Sequence, residues 1–309
     1  MADLTKETSF EDIVQSDLFT FYIGKERQPF IVHSKAVAAT SAVFDRLING
    51  DMSEARSRSA EFQEIDPATF IRFLEYAYRH DYATPQPTQV TTDTQASVSG
   101  AQELLNSATP STHWTTQVLP VAAADRAAWA NSTSAPSDYC ALPSPPMATR
   151  KQIRSQGSAR ALFNRRKYGL QALNDSSSSN AREDVYRNTL PSQSFAPVFL
   201  AHARLYALAE MHMVLPLRDL TLHKLHRALA QFQLFPERLT DIVELARFAY
   251  EQGADRAVAG KIDPLRDMVV DFVACEKKAL SKDPEFRNLM DGGGEFAGDF
   301  WDVVSREEV

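Results

Sequence analysis

Three consecutive residues, Met52-Ser53-Glu54, combine an apolar and an acidic side chain within a polar stretch. They follow a predicted helix that Asn49-Gly50 terminates, since both residues tolerate the left-handed conformation used after helices. An exposed methionine offers an adaptable apolar contact, and a nearby carboxylate can cap a helix or pair with a cation. These residues are therefore candidates for contact with another protein. The alternative is an ordinary solvated loop.

A run of basic side chains lies near the middle of the chain, with no acidic residue between Arg150 and Asn174. Its cations are Arg150, Lys151, Arg154, Arg160, Arg165, Arg166 and Lys167. Such a run is typical of a nuclear-import signal or a nucleic-acid contact, and Phe163 and Tyr168 could add stacking. The alternative is a set of solvated charges. We keep import as a hypothesis and do not expect specific nucleic-acid binding.

Patterns that carry catalysis are absent from the sequence. It has no Gly-x-Ser-x-Gly elbow, P-loop, dinucleotide fingerprint or His-Glu-x-x-His motif. His223 and His226 are spaced to share a helix face, but no nearby Cys, Asp or Glu completes an obvious metal site. Gly292–Gly294 follows a predicted helix and favours a turn rather than a phosphate cradle. We predict no enzyme, no small-molecule substrate, no cofactor and no metal.

The elements that must position the first candidate lie in Ser16–Tyr82, called here the N-terminal block. Two short apolar runs, Leu18–Ile23 and Phe30–Val32, flank a polar stretch that suits a hairpin loop. Helical spacing of apolar residues then predicts one helix from Ser34 to about Ile48, followed by a polar, irregular connection.

A short strand and a second helix complete this block. Phe62–Ile65 is predicted to be a strand. Asp66-Pro67 is a strong helix start, with Asp as the cap and Pro in the first turn. Phe70, Phe73, Leu74 and Ala77 give the following helix one apolar face, which needs a cover from elsewhere in the chain.

The composition changes at Ala83. Residues 83–196 contain nine of the sixteen prolines, and their ten Lys/Arg and seven Asp/Glu give a net charge of +3. A segment rich in Ser, Thr, Gln and Ala buries too little apolar surface to offset its ordering entropy. We predict a disordered insertion, with a transient helix near residues 160–173. Order resumes at Pro197, where helical patterns continue to a last short helix at Phe296–Val304.

The length and composition of the chain fit a soluble globular protein of about two domains. The 309 residues are 44% hydrophobic and 24% charged, with a net charge of −7 that favours neither nucleic acid nor an anionic membrane. Cys140 and Cys275 have no nearby partner, which favours a reducing compartment. Residues 1–15 form a polar leader unlike a secretory or transit signal. We expect the cytoplasm, the nucleus or both, and no membrane segment.

The N-terminal block resembles a BTB/POZ domain, an α+β fold with a short sheet capped by helices. The resemblance rests on Asp17 before the first strand, His33-Ser34 after the second, Ser41 and Phe44 in the helix, and Phe62–Asp66 before Phe70–Tyr78. It is closest in style to fungal BTB proteins without a recognisable second module. It implies protein partners, homodimerisation and no enzymatic activity.

The resemblance also implies roles for particular residues. In BTB adaptors that bind cullin-3, a hydrophobic residue, any residue and Glu occupy the place of Met52, Ser53 and Glu54. In the family, the positions of Asp17 and His33 lie near the dimer interface or its charged pocket. The basic residue expected after the histidine is replaced by Ser34 here, with Lys35 one position on. Structural roles for Asp17, as a strand-start cap, and His33 remain open.

Family architecture places two closing helices directly after the position of Tyr82. The candidates in this chain lie in residues 197–230, so 83–196 is predicted to split the domain, with 231–309 as a helical extension. Two separate domains joined by a linker are the alternative. We predict an interaction module that self-associates or recruits substrates to a cullin-3 ubiquitin ligase. A nuclear regulator or scaffold of transcription is the alternative function.

Overall fold

The computed structural model describes residues 9–90, 159–166, 186–252 and 262–307. These residues belong to one compact unit formed by residues 1–92 and 150–309. A second unit, residues 93–149, lies outside the described ranges. Within the described ranges, no helix combines the length and apolar character needed to cross a bilayer.

The N-terminal block, with one helix before it, forms a small sheet surrounded by short helices. The elements are α1 Phe10–Val14, β1 Leu18–Ile23, β2 Gln28–His33, α2 Ser34–Ala38, α3 Ala42–Asn49, α4 Ser53–Ser57, β3 Ser59–Phe62 and α5 Pro67–Arg79. β1 is central, antiparallel to β2 and parallel to β3. The predicted hairpin is confirmed, with Leu18 opposite His33 and Ile23 opposite Gln28. Side chains alternate along β1, so Phe19 and Phe21 enter the core and Leu18 faces outward.

The single helix predicted from Ser34 to Ile48 is wrong, because α2 and α3 are separate helices. Ser41 has extended backbone angles, and its hydroxyl accepts a hydrogen bond from the Phe44 amide at 3.2 Å. A side-chain cap of this kind satisfies one of the amides that lack a partner at a helix start. It therefore ends one helical segment and begins another. The predicted cap at Asp66 is confirmed, since its carboxylate accepts from the Thr69 amide at 3.1 Å.

The remaining described elements are mostly helical. They are β4 Thr88–Gln89, α6 residues 159–165, β5 Gln193–Ser194, α7 Ala196–Met211, α8 Leu215–Gln231, a 3-10 turn Pro236–Arg238, α9 Leu239–Gln252, α10 Pro264–Cys275, α11 Lys277–Leu280, α12 Pro284–Asp291 and α13 Gly294–Glu307. Four of these helices carry proline in the first turn, where the missing amide costs no internal hydrogen bond: α7, α8, α10 and α12.

The two ends of the predicted insertion meet in a short antiparallel ribbon. Thr88 of β4 pairs with Ser194 of β5, and the Val90 amide donates to the Ser192 carbonyl at 2.7 Å. Within 83–196, residues 83–90, 159–166 and 186–196 have a described structure, which departs from the prediction of disorder at these places. The helix at 159–165 falls where a transient helix near 160–173 was predicted. The rest of the predicted insertion lies outside the described residues.

Helices α7 and α8 contribute to two apolar cores. One core combines β1, α3 and α5 with Leu205, Leu208 and Ala209 of α7 and Leu217 and Leu220 of α8. Phe199 and Tyr206 of α7 face a second core, built mainly by α8, α9, α10 and α13. Burial on both sides explains why α7 is apolar around most of its circumference.

Candidate interaction surfaces

The Met52-Ser53-Glu54 stretch lies at the exposed start of α4. Met52 immediately precedes the helix, and 60% of its surface is exposed. The Ser53 hydroxyl donates to a Glu54 carboxylate oxygen at 2.9 Å. Hydrogen bonds from its own backbone amide and from Ser53 lower the pKa of Glu54, so the carboxylate is charged at neutral pH. The site therefore offers a flexible apolar side chain beside an anion.

A second group of exposed apolar residues, missed by the sequence interpretation, lies at the α7–α8 turn. Met211, Met213 and Leu215 are exposed there. Between them, the His212 ring lies 4.6 Å from the Phe44 ring of α3 and 5.1 Å from the Phe62 ring of β3, measured between centroids. The turn thus packs on the two elements that flank α4. A methionine-rich break between two apolar helices is the signal that could have found it.

Asp17 is largely solvated, with 88% of its side chain exposed. One carboxylate oxygen lies 3.4 Å from the Arg58 guanidinium, and the backbone carbonyl accepts from the Ser34 amide at 2.8 Å. An ion pair this exposed adds little stability. Ser34 itself is buried, whereas Lys35 is exposed and lies 3.7 Å from Asp12. The position after the histidine therefore presents no charge to solvent.

His33 joins the end of β2 to α5. Its backbone amide donates to the Tyr78 hydroxyl at 2.9 Å, and its ring Nδ1 lies 2.9 Å from the same oxygen. The two rings meet edge to face at 5.9 Å. These contacts give His33 a structural role in holding the hairpin on the helix, and they leave its ring only partly exposed.

Two exposed apolar pairs lie near the start of the described residues. Phe10 and Val14 are one turn apart on α1. Leu18 and Ile31 lie on the outward face of the β1–β2 hairpin, where their register makes them diagonal neighbours. Sheet faces and helix faces of this kind normally receive a cover.

The members of the basic run that the structure describes have different surroundings. Arg150, Lys151, Arg154 and Lys167 lie outside the described residues. Arg165 is exposed, whereas Arg166 forms ion pairs with Asp267 and Asp271 of α10. Arg160, which belongs to the same run, is largely buried against Glu276. Two of the run's cations are therefore occupied by acidic partners, and its proposed import function stays a prediction.

Polar side chains also join the N-terminal block to α7 and α8. The Lys224 ammonium of α8 donates to the Asp81 carboxylate at 2.5 Å and to the Tyr82 carbonyl at 2.6 Å. The Tyr82 hydroxyl lies 2.7 Å from Nδ1 of His202, which α7 supplies. Burial, together with the nearby charges of Lys224 and Arg72, lowers the pKa of His202 to about 3. Burial is the larger cause. His202 is therefore neutral in the folded protein.

Metal binding has no support in the described part of the chain. No cluster of three or more His, Cys, Asp or Glu side chains occurs there with a metal-binding arrangement. Three of the described histidines have other contacts: His202 with Tyr82, His212 with Phe44, and His226 with the Phe163 carbonyl at 2.8 Å.

Comparison with known families identifies the fold. The family model of the BTB/POZ domain matches residues 10–107, about a third of the chain. The chain therefore contains a BTB/POZ domain, which is a protein–protein interaction module. No match to a curated protein was found. The matched residues contain the three-stranded sheet and α1 to α5, so the family and the described architecture agree.

Proposed function

We propose that this protein uses its BTB/POZ domain to recruit substrates to a cullin-3 ubiquitin ligase. The observation that carries the proposal is the exposed Met52 followed by the charged Glu54 at the start of α4. The resemblance supports it, since adaptors of this class place a hydrophobic residue, any residue and Glu here. Met211, Met213 and Leu215 would enlarge the contact, because the turn that carries them packs against α3 and β3.

Replacing both anchors is expected to abolish cullin binding. Met52→Ala with Glu54→Ala removes the flexible apolar contact and the anion. Truncation of a hot-spot residue to alanine costs about 2 kcal/mol or more of binding free energy. Co-precipitation of cullin-3 with the full chain measures the effect. Leu190→Ala with Glu237→Ala is the matched control, since both residues are exposed and lie outside residues 10–107. Cullin-3 capture at the same level by the Met52/Glu54 variant would reject the adaptor function.

We also propose that α7 and α8 complete the BTB/POZ domain after a long insertion. Three observations support this proposal. The core of the N-terminal block includes Leu205 and Leu217, the Lys224 ammonium bonds to Asp81 and Tyr82, and the β4–β5 ribbon brings the insertion's two ends together. Because closure entropy rises slowly with loop length, a long insertion at such a ribbon is tolerated.

Self-association is the second part of the proposed mechanism. The exposed pairs on α1 and the hairpin supply apolar area of the kind that dimers bury. We expect Ile31→Glu to shift the full chain from dimer to monomer, measured by light scattering after size-exclusion chromatography. Ile71→Glu is the control, because it makes the same change at an α5 residue of similar exposure, 51% against 66%. Equal masses for both variants and the unchanged chain would exclude this surface as the dimer interface.

A further inference from the structure

One segment of the predicted insertion is held mainly by α8 and α10 through three regularly spaced side chains. The segment is residues 159–166, called here the docking segment. Arg160 and Phe163 lie on α6 and Arg166 directly follows its last residue, and the interval of three brings their side chains to one side of the segment. The neighbouring Leu162 and Arg165 are exposed on the other side. The segment therefore binds through a single face, as a helical peptide does in a groove.

Phe163 is the central anchor of this contact. Only 2% of its surface is exposed. Its ring lies 5.4 Å from the Phe272 ring of α10 and 4.9 Å from the His226 ring of α8. Its backbone carbonyl accepts a hydrogen bond from Nε2 of His226 at 2.8 Å. The pocket thus recognises both an aromatic ring and the main chain beside it.

Arg160 closes the end of α8. Its guanidinium donates to the carbonyls of Leu229 at 2.8 Å and Phe232 at 3.1 Å. The last carbonyls of a helix lack partners and carry partial negative charge, so a cation here is favourable. The same guanidinium pairs with Glu276 at 2.8 Å and lies 4.5 Å from the centre of the Phe272 ring. A planar guanidinium satisfies all of these at once, which a lysine could not do.

Arg166 completes the contact at the other end of the segment. It forms ion pairs with Asp267 and with Asp271, and the Asp271 side chain is buried. A buried carboxylate is unfavourable without a cation, so this end of the groove selects for positive charge. The groove, lined by His226, Asp267, Asp271, Phe272 and Glu276, thus has a defined preference: Arg, then an aromatic residue, then Arg, at intervals of three.

We propose that this groove is a binding site for helical peptides with the pattern Arg-x-x-Phe-x-x-Arg, which the chain's own docking segment occupies in cis. A partner protein carrying the same pattern would bind by displacing the segment. Displacement would break the ion pairs of Arg160 and Arg166 and expose these two cations of the basic run. Because the cis segment belongs to the same chain, its binding is intramolecular and sets a threshold that such partners must exceed.

The proposal is tested by adding the motif in trans. The probe is a fluorescent peptide covering residues 156–169, and the receptor is the full chain carrying Arg160→Ala and Phe163→Ala. We expect this receptor to bind the peptide about 10- to 100-fold more tightly than the unchanged chain, whose groove is occupied. A peptide with Leu162→Ala and Arg165→Ala should bind like the original, since those residues face away. A peptide with Arg160→Ala and Phe163→Ala should not bind.

A folded receptor that shows no binding, or equal binding of all three peptides, overturns the proposal. If the receptor variant does not fold, protease sites introduced on both sides of 159–166 in the otherwise unchanged chain decide the question. After cleavage, exchange of the excised segment for the labelled peptide supports a peptide site. Retention of the segment, or unfolding on cleavage, shows instead that it is an integral part of the core and rejects the proposal.

Discussion

A fragment ending at residue 92 is expected to remain unfolded, although it contains the whole sheet and α1 to α5. The fragment lacks the side chains with which α7 and α8 complete its core: Leu205, Leu208, Ala209, Val214, Leu217 and Leu220. Truncating one buried leucine costs about 2–5 kcal/mol, so the loss of four, about 8–20 kcal/mol, is as large as the typical stability of about 5–15 kcal/mol. Circular dichroism should show no cooperative thermal transition.

A second variant, compared with this fragment, lacks the insertion but keeps α7 and α8. An Asn-Gly turn joining Val90 to Ser192 suits the β4–β5 register, because the Val90 amide already bonds to the Ser192 carbonyl. This chain should unfold cooperatively, with a midpoint lowered by roughly 10 °C because the buried Phe163 is lost with the insertion. Cooperative unfolding of residues 1–92 alone would contradict the split domain.

Acid should destabilise the protein through His202. The folded pKa of about 3 is below the ordinary value of 6.5, so the unfolded chain binds a proton at this residue between those pH values and the folded chain does not. Stability from this group is therefore complete above about pH 6.5 and declines as pH falls toward 3. At about pH 4.5, the free energy of unfolding should be lower by roughly 3 kcal/mol on this account.

Urea unfolding at several pH values isolates this contribution when His202→Gln is compared with the unchanged chain. Buried Asp241 and exposed Glu244 have raised pKa values, mainly through desolvation, and act in the opposite direction, but they are common to both proteins. The variant should be less stable at neutral pH and should lose less stability on acidification. His80→Gln, at an exposed histidine, should follow the unchanged chain. Parallel pH profiles for His202→Gln and the unchanged chain would show that His202 is not the group responsible.

Local patterns account for the features that the sequence analysis predicted well. The β1–β2 hairpin follows from two apolar runs around a polar loop, and the start of α5 follows from Asp66-Pro67. Both depend on residues close together in the chain, whose backbone preferences and hydrogen bonds act over a few positions. The break at Ser41 was missed because Ser is tolerated within a helix, and only its observed hydrogen bond to Phe44 shows that it acts as a cap.

Contacts between distant residues explain what was missed among the candidate sites. Nothing near Arg160 in the sequence indicates that it closes α8 and pairs with Glu276, since its partners lie 69 to 116 positions away. The basic run was consequently treated as uniform, whereas Arg166 is bound to acidic residues and Arg165 is exposed. The sequence analysis did not single out the turn with Met211 and Met213, and only its packing on α3 and β3, the elements that flank α4, makes it a candidate surface.

The sequence by itself determined the α+β fold of the N-terminal block, its resemblance to BTB/POZ domains and the candidate residues Met52, Ser53 and Glu54. Periodicity, caps and turn residues indicate the strands and helices locally, and the role of the three candidate residues is what the resemblance implies. The tertiary structure alone decided that Lys224 and His202 meet Asp81 and Tyr82, and that Phe163 is a buried anchor. Those results depend on burial and charge pairing between segments far apart in the chain, which local patterns do not encode.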